Sequence, residues 1–313
     1  LVNESVSSQL VVKGTQIGSI IPLTEPDLDC LFLESEPPDL NEVLDVFTTT
    51  TSNIEEEDNP QLPRVNRILN QVNLNHLPKR YRKQFQSLLE EFADIMFLNG
   101  DKLTCCNFPP FHLDTQDHAP IVCRPYSVPQ QLRPELQEVL HELQEQGVIK
   151  PSDSYWANPC FVMKKPGPDK KPGRLQLVCD LRNLNAISVK PIYRFPIIQD
   201  LLQQAGKHKF YTVVDFSRAY FQCPVTPETS EKLSFVTEFG NYSFQRIPYG
   251  LSQAPFHFTK CLDEVLRKAG IIDSSFPFLD DILSPSDSYE EGLEKLRKLF
   301  LCFRSANLKI SPS

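Results

Sequence analysis

Phe276-Pro277-Phe278-Leu279-Asp280-Asp281-Ile282-Leu283 places two adjacent acids inside an otherwise apolar run. Apolar residues on both sides predict a short strand pair that bends at the acids. Neighbouring carboxylates in such a setting repel each other and lose hydration, a cost that a bound divalent cation removes. Upstream, Phe210-Tyr211-Thr212-Val213-Val214 reads as a buried strand that ends at a third acid, Asp215. Asp215, Asp280 and Asp281 converging on two Mg2+ (or Mn2+) ions suit in-line phosphoryl transfer. One ion would activate the attacking hydroxyl and the other the leaving pyrophosphate. Alone, an Asp-Asp pair also reads as a solvated tight turn, so its surroundings decide.

Beyond the acids, Leu293, Leu296, Phe300 and Phe303 line an amphipathic helix, capped near Asp287 and ending by Asn307. Ala254 to Lys268 reads as a helix with Ser252 as its N-cap. Towards the N-terminus, Leu132, Leu136, Val139, Leu140 and Leu143 recur at helical spacing, and Gly147 closes that helix. Strand-like segments follow around Cys160-Phe161-Val162-Met163 and Leu175-Gln176-Leu177-Val178. Between them, Lys164 to Gly173 is rich in Lys, Pro and Gly and reads as a mobile basic hairpin tip. Leu77 to Phe92 is a further helix, followed by a Pro-rich extended passage from Phe108 to Pro129. Strands and helices alternate without a regular βαβ period, which favours an α+β fold.

The formal net charge of -8 hides an asymmetry. Between Asp27 and Asp58 stand eleven acids and no Lys or Arg, whereas from Lys150 to Lys209 eleven Lys and Arg face four acids. A field is local, so the acidic total does not exclude nucleic acid from the basic stretch. Residues 1–75 hold one β-like run, Gln9 to Ile21, and then acidic, Pro- and Thr-rich sequence. That composition cannot offset chain entropy and reads as a largely disordered linker. The nine cysteines are scattered, Cys105-Cys106 lacks the spacing of a zinc site, and free thiols fit a reducing cytoplasmic compartment. No apolar run approaches the ~20 residues a membrane span needs, so no membrane partner is expected.

In this setting the chain resembles the gypsy-type LTR retrotransposon and retroviral reverse transcriptases, in order from Lys79 to Ser311. Phe278-Leu279-Asp280-Asp281 resembles the family's aromatic-x-Asp-Asp box, and Val214-Asp215-Phe216-Ser217-Arg218-Ala219-Tyr220-Phe221-Gln222 its first metal-binding box. Arg246-Ile247-Pro248-Tyr249-Gly250-Leu251-Ser252-Gln253-Ala254-Pro255-Phe256 resembles the box that meets template and incoming nucleotide. Gly147 to Ser152, Lys164-Lys165 and Asp180-Leu181-Arg182-Asn183-Leu184-Asn185 are similar to its fingers pattern.

The resemblance implies an α+β right-hand polymerase: fingers and an antiparallel palm sheet over 129–313, an N-terminal extension wrapping the fingers over 76–128, and no thumb. It implies RNA-directed and DNA-directed DNA synthesis on an RNA or DNA template with primer, using dNTPs. Asp215, Asp280 and Asp281 would be the metal carboxylates. Lys165 and Arg174 would reach the triphosphate, Tyr220 would crowd a ribose 2′-hydroxyl, and Tyr249 and Gly250 would lie under the nascent base pair. Lys164, Arg182 and Pro255 are assigned to template and primer. Downstream thumb, RNase H and integrase regions have no counterpart.

The family's arginine four residues before Asp180 is here Gln176. Arg174 points to the same strand face about 6.5 Å away and would have to substitute. Phe278 also replaces the commoner tyrosine. These departures keep open the alternative of a catalytically inactive nucleic-acid-binding remnant of a retroelement.

Overall fold

Helix α1 (Arg64–Gln71) is the first element of the computed structural model, which describes residues 60–166, 172–192 and 198–312. Ile68 turns inward to 1% exposure, and Arg64 forks onto both carboxylate oxygens of Asp101 at 2.8 and 2.7 Å. Leu69, Val72 and Leu74 pack against the same core. The expectation of linker up to residue 75 is therefore corrected for residues 64–75. The acidic run before them dominates the composition and hides a short helix with one core isoleucine and one bidentate arginine. That acidic run, and the stretch from Gln9 to Ile21, lie outside the described residues.

Helix α2 (Lys79–Glu91) falls within the predicted span. Its Leu88 and Leu89 are buried, and Phe92, just past its end, sets its ring 5.4 Å from Phe300. Helix α3 (Arg133–Glu145) buries Leu136, Val139, Leu140 and Leu143, as their spacing predicts. Gly147 then takes φ +66, the left-handed conformation that lets a helix close.

A five-stranded sheet rests on α3. Strands β1 (Ile149–Pro151), β2 (Asn158–Pro166) and β3 (Pro172–Cys179) are joined by two strands from later in the chain, β5 (Ser234–Thr237) and β6 (Gly240–Phe244). Their order is β1-β6-β5-β2-β3. β2 and β3 pair antiparallel from Cys160 opposite Cys179 to Lys164 opposite Leu175. Their tip, residues 167–171, lies outside the described residues. Glu135 of α3 braces the hairpin, accepting the Leu175 amide at 2.9 Å and pairing with Lys164 at 3.3 Å. Sequence reading passes over β5 because Ser234, Phe235 and Thr237 are all buried. A strand covered on both faces shows no in–out alternation.

Short helices α4 (Arg182–Ile187) and α5 (Ile198–Ala205) lead to the second sheet. Here β4 (Phe210–Asp215), β8 (Asp281–Ser286) and β7 (Phe276–Phe278) lie in the order β4-β8-β7, all antiparallel. Val214 and Ile282 point into the core, where helices α7 (Ala254–Lys268) and α8 (Tyr289–Ser305) present Phe258, Leu262, Leu299 and Phe303. Phe216 wedges its ring edge-on between Phe258 at 5.2 Å and Phe303 at 5.0 Å. Burying one such ring contributes about 2–3 kcal/mol, so the residue that follows Asp215 is firmly anchored.

One predicted cap shifts. The N-cap of α7 is Gln253, with no side-chain cap bond, rather than Ser252. Pro255, at the second helical position, lacks the N–H that a capping side chain would accept. Helix α8 is capped by Ser288, next to Asp287 as expected, its hydroxyl accepting the Glu291 amide at 3.1 Å. The Glu291 carboxylate takes the Asp287 amide at 2.7 Å in return, a close variant of the reciprocal capping box. Helix α6 (Pro227–Lys232) completes the fold.

Candidate active site

The register of β4 against β8 makes Asp215 and Asp281 direct partners. Direct partners project to one face with their Cα atoms about 4.5–5.5 Å apart, so the two carboxyls meet above the outer face of the sheet. The contact between them pulls the Asp215 carboxyl down and pushes that of Asp281 up, against the larger effect of burial on both. Asp280 lies in the two-residue bend Leu279-Asp280, and its carbonyl accepts the Phe216 amide at 3.2 Å. Leu279 adopts φ +55, a left-handed backbone that costs a branched side chain strain.

Burial first, and then the charge of Asp280, pushes Asp215 up to about 6. Asp281 is pushed up to about 7 by burial and by the charges of Asp215 and Asp280. Burial raises Asp280 as well. Three acids that resist ionisation together are the signature of a site shaped for added positive charge.

Among the described residues, no three His, Cys, Asp or Glu side chains are arranged as a ready-made metal cage. Of the three acids expected to converge, the strand register pairs Asp215 with Asp281, and Asp280 adjoins them in the bend. The donor set still fits a hard divalent ion, since the atoms these three side chains can offer are all carboxylate oxygens.

Past Asp215 the chain turns through Arg218, at φ +49, into a 3-10 turn, Ala219–Gln222. This turn brings Tyr220 edge-on to Tyr249 at 5.4 Å and to Phe258 at 6.1 Å. Burial and the Asp280 charge hold the hydroxyls of Tyr220 and Tyr249 well above the usual tyrosine range, which sets both rings beside the acids. Gly250 follows at φ +89. A Cβ there would meet the Cys179 carbonyl at an ordinary 3.5 Å, so backbone conformation rather than space calls for glycine. Asn185 of α4 holds this turn, donating to the Gly250 carbonyl at 2.9 Å and accepting the Ser252 amide at 3.0 Å. Pro255 sits half-buried in the first turn of α7.

The predicted cations are less gathered. Of Lys165 and Arg174 only the strand positions, in β2 and β3, are described; their side chains lie outside the described residues. Lys164 is held by Glu135. Arg182 forks onto Asp180 at 2.9 and 2.7 Å, and Tyr126 donates to the same carboxylate at 3.1 Å. Arg182 brings Asp180 down to about 2, by hydrogen bond first. With Arg124 and Asn183, these side chains line an open concavity of about 320 Å³ to which none of the three acids contributes. Sequence reading singled out neither Tyr126 nor the clamp made by Asn185, because contacts between distant residues leave no periodic trace.

An antiparallel sheet with acids at the end of one strand and at a neighbouring bend, beside a second sheet on its own helix, defines the fingers and palm of a right-hand polymerase. Residues 163–313 match the family described as Reverse transcriptase (RNA-dependent DNA polymerase). The retrovirus-related Pol polyprotein from transposon 297 of Drosophila melanogaster is 30% identical over 240 residues, covering 77% of this chain and 23% of that protein. The Pol polyprotein from transposon gypsy of the same organism is 29% identical over 234 residues, covering 72% and 22%. The chain thus spans about a quarter of the length of these relatives. A structure of the foamy viral protease-reverse transcriptase in complex with RNA/DNA hybrid matches with a TM-score of 0.69 at 22% identity, over 80% of this chain and 33% of that one. At that identity the likeness speaks for the fold. No helix among the described residues is long and apolar enough to cross a membrane.

Proposed function

We propose that this chain carries the nucleotidyl-transfer centre of a retrotransposon reverse transcriptase, adding deoxynucleoside monophosphates to a primer 3′-hydroxyl on an RNA or DNA template. The observation that supports it is Asp215 directly opposite Asp281, with Asp280 in the adjoining bend. Two Mg2+ (or Mn2+) ions bound there would activate the primer hydroxyl and neutralise charge on the leaving pyrophosphate. Asp215 and Asp281, both raised in pKa, would have to be ionised to hold them. Tyr220, packed against Tyr249, crowds the place of a ribose 2′-hydroxyl, and Gly250 lets backbone approach the nascent pair. Lys165 and Arg174 are assigned the triphosphate. Arg182, with Pro255 and Lys164, is assigned template and primer. Residues 76–128 would wrap the fingers, and 129–313 would form fingers and palm, acting in the cytoplasm.

Primer extension at low salt with Mg2+, with Asp280→Asn as the blank, tests this. Extension by the wild type and not by the variant supports the reading. A chain that binds primer-template and extends nothing is instead a nucleic-acid-binding remnant, which Gln176 in place of the expected arginine favours.

A further inference from the structure

Gln222 is fully buried, and its three side-chain hydrogen bonds all go to backbone. Its Nε2 donates to the Ser217 carbonyl at 2.7 Å and to the Lys309 carbonyl at 2.7 Å, while its Oε1 accepts the Lys309 amide at 2.7 Å. Only this orientation of the amide satisfies two carbonyls and one N–H at once. Beside it, the Ser311 amide donates to the Asp215 carbonyl at 2.9 Å. The 309–311 stretch is itself fixed from the other side, Ile310 donating to Ile95 at 3.0 Å and accepting from Phe97 at 2.8 Å. The Gln222 carbonyl takes the Cys106 amide at 2.8 Å. The segment from Asp215 to Gln222 is therefore gripped from behind at three of its carbonyls. Arg218, in the middle of that turn, sits at φ +49, a conformation that a non-glycine residue keeps only when its surroundings impose it.

We propose that Gln222 is a positioning residue: it locks the Ser217-Arg218 turn so that Asp215 and Tyr220 keep one mutual geometry, and through them it sets divalent-ion affinity and sugar selection together. The sugar and ion consequences rest on the polymerase reading above; the locking of the turn does not. Gln222→Met keeps the length of the side chain and removes its three bonds. Thr229→Val is the control, since Thr229 is also fully buried and accepts the Leu113 amide at 2.8 Å in a different part of the fold.

On the full chain, Mn2+ binding is titrated by electron paramagnetic resonance, and amide exchange is followed across residues 215–220. Gln222→Met is expected to weaken Mn2+ about tenfold or more, as loss of a supporting partner does at metal sites, and to speed that exchange. In primer extension it should also lower the preference for dNTP over rNTP, whereas Thr229→Val keeps wild-type Mn2+ affinity and selectivity at a similar loss of melting temperature. Wild-type Mn2+ affinity with unchanged exchange in Gln222→Met overturns the proposal. An equal Mn2+ defect in Thr229→Val also overturns it, because the effect is then general softening. Failure of the polymerase reading looks different: the wild type has no Mn2+ site that Asp280→Asn removes. Exchange across 215–220 then decides alone, faster in Gln222→Met if the lock holds and unchanged if it does not.

Discussion

Asp215 and Asp281 face each other across β4 and β8, with Asp281 held up to about 7 and Asp215 up to about 6. Both acids bind protons more tightly in the folded chain than in the unfolded one. Their contribution to stability is therefore fully present below about pH 4, where unfolded carboxylates titrate, and is lost as the pH rises through 6 and 7. Asp281→Asn removes that loss. Urea melts should show the variant gaining on the wild type as the pH climbs from 4 to 7, levelling at about 1–2 kcal/mol after allowance for solvent screening. Added Mg2+ should stabilise the wild type more at pH 8 than at pH 5, since protons and metal compete for the same oxygens. A difference between variant and wild type that stays flat with pH would mean the two carboxyls do not interact.

Asn185 and Gly250 make a second, separable test. The Asn185 amide holds both the Gly250 carbonyl and the Ser252 amide. Asn185→Ala should cost about 1 kcal/mol of stability and raise the dNTP concentration needed for half-maximal extension. Gly250→Ala should cost about 1–2 kcal/mol through its left-handed backbone alone, because the space for a methyl group is there. If the alanine at 250 proves harmless to stability, φ +89 is not the conformation in solution.

Much of this architecture is legible in the residues. β4, the β7–β8 bend, α7 and α8 announce themselves because each buries one face or one apolar run, and burial leaves a period. The acids stand out because charge inside such a run needs a reason. What stays hidden is of two kinds. Strand β5 is covered on both sides and loses its alternation, and α1 is masked by the acid-rich sequence before it. The clamps made by Asn185, Gln222 and Tyr126 join residues far apart in the chain, so no local pattern encodes them.

Helix α1 offers a stability test that owes nothing to function. Ile68 is 1% exposed in a helix that sequence composition assigns to linker. Ile68→Ala should remove about 2–4 kcal/mol, the cost of a core methyl cluster plus the cavity it leaves. Chemical denaturation checks this directly. A change within about 0.5 kcal/mol, the range of ordinary surface substitutions, would return residues 64–71 to the linker.

Arg182 and Asp180 allow the assignment to template to be tested through charge. Asp180 engages two of the five guanidinium N–H donors, and the arginine side chain is 84% exposed, so donors remain for a phosphate without breaking the pair. Arg182→Ala should weaken binding of a primer-template similarly across sequences and reduce the slope of log affinity against log salt by about 1. Asp180→Asn should act in the opposite direction, since it removes the carboxylate that now offsets the arginine's field. Filter binding over a salt series measures both. Should Arg182→Ala leave the slope where it was, the guanidinium meets no phosphate, and its pairing with Asp180 and Tyr126 is architecture for the fingers rather than a grip on template.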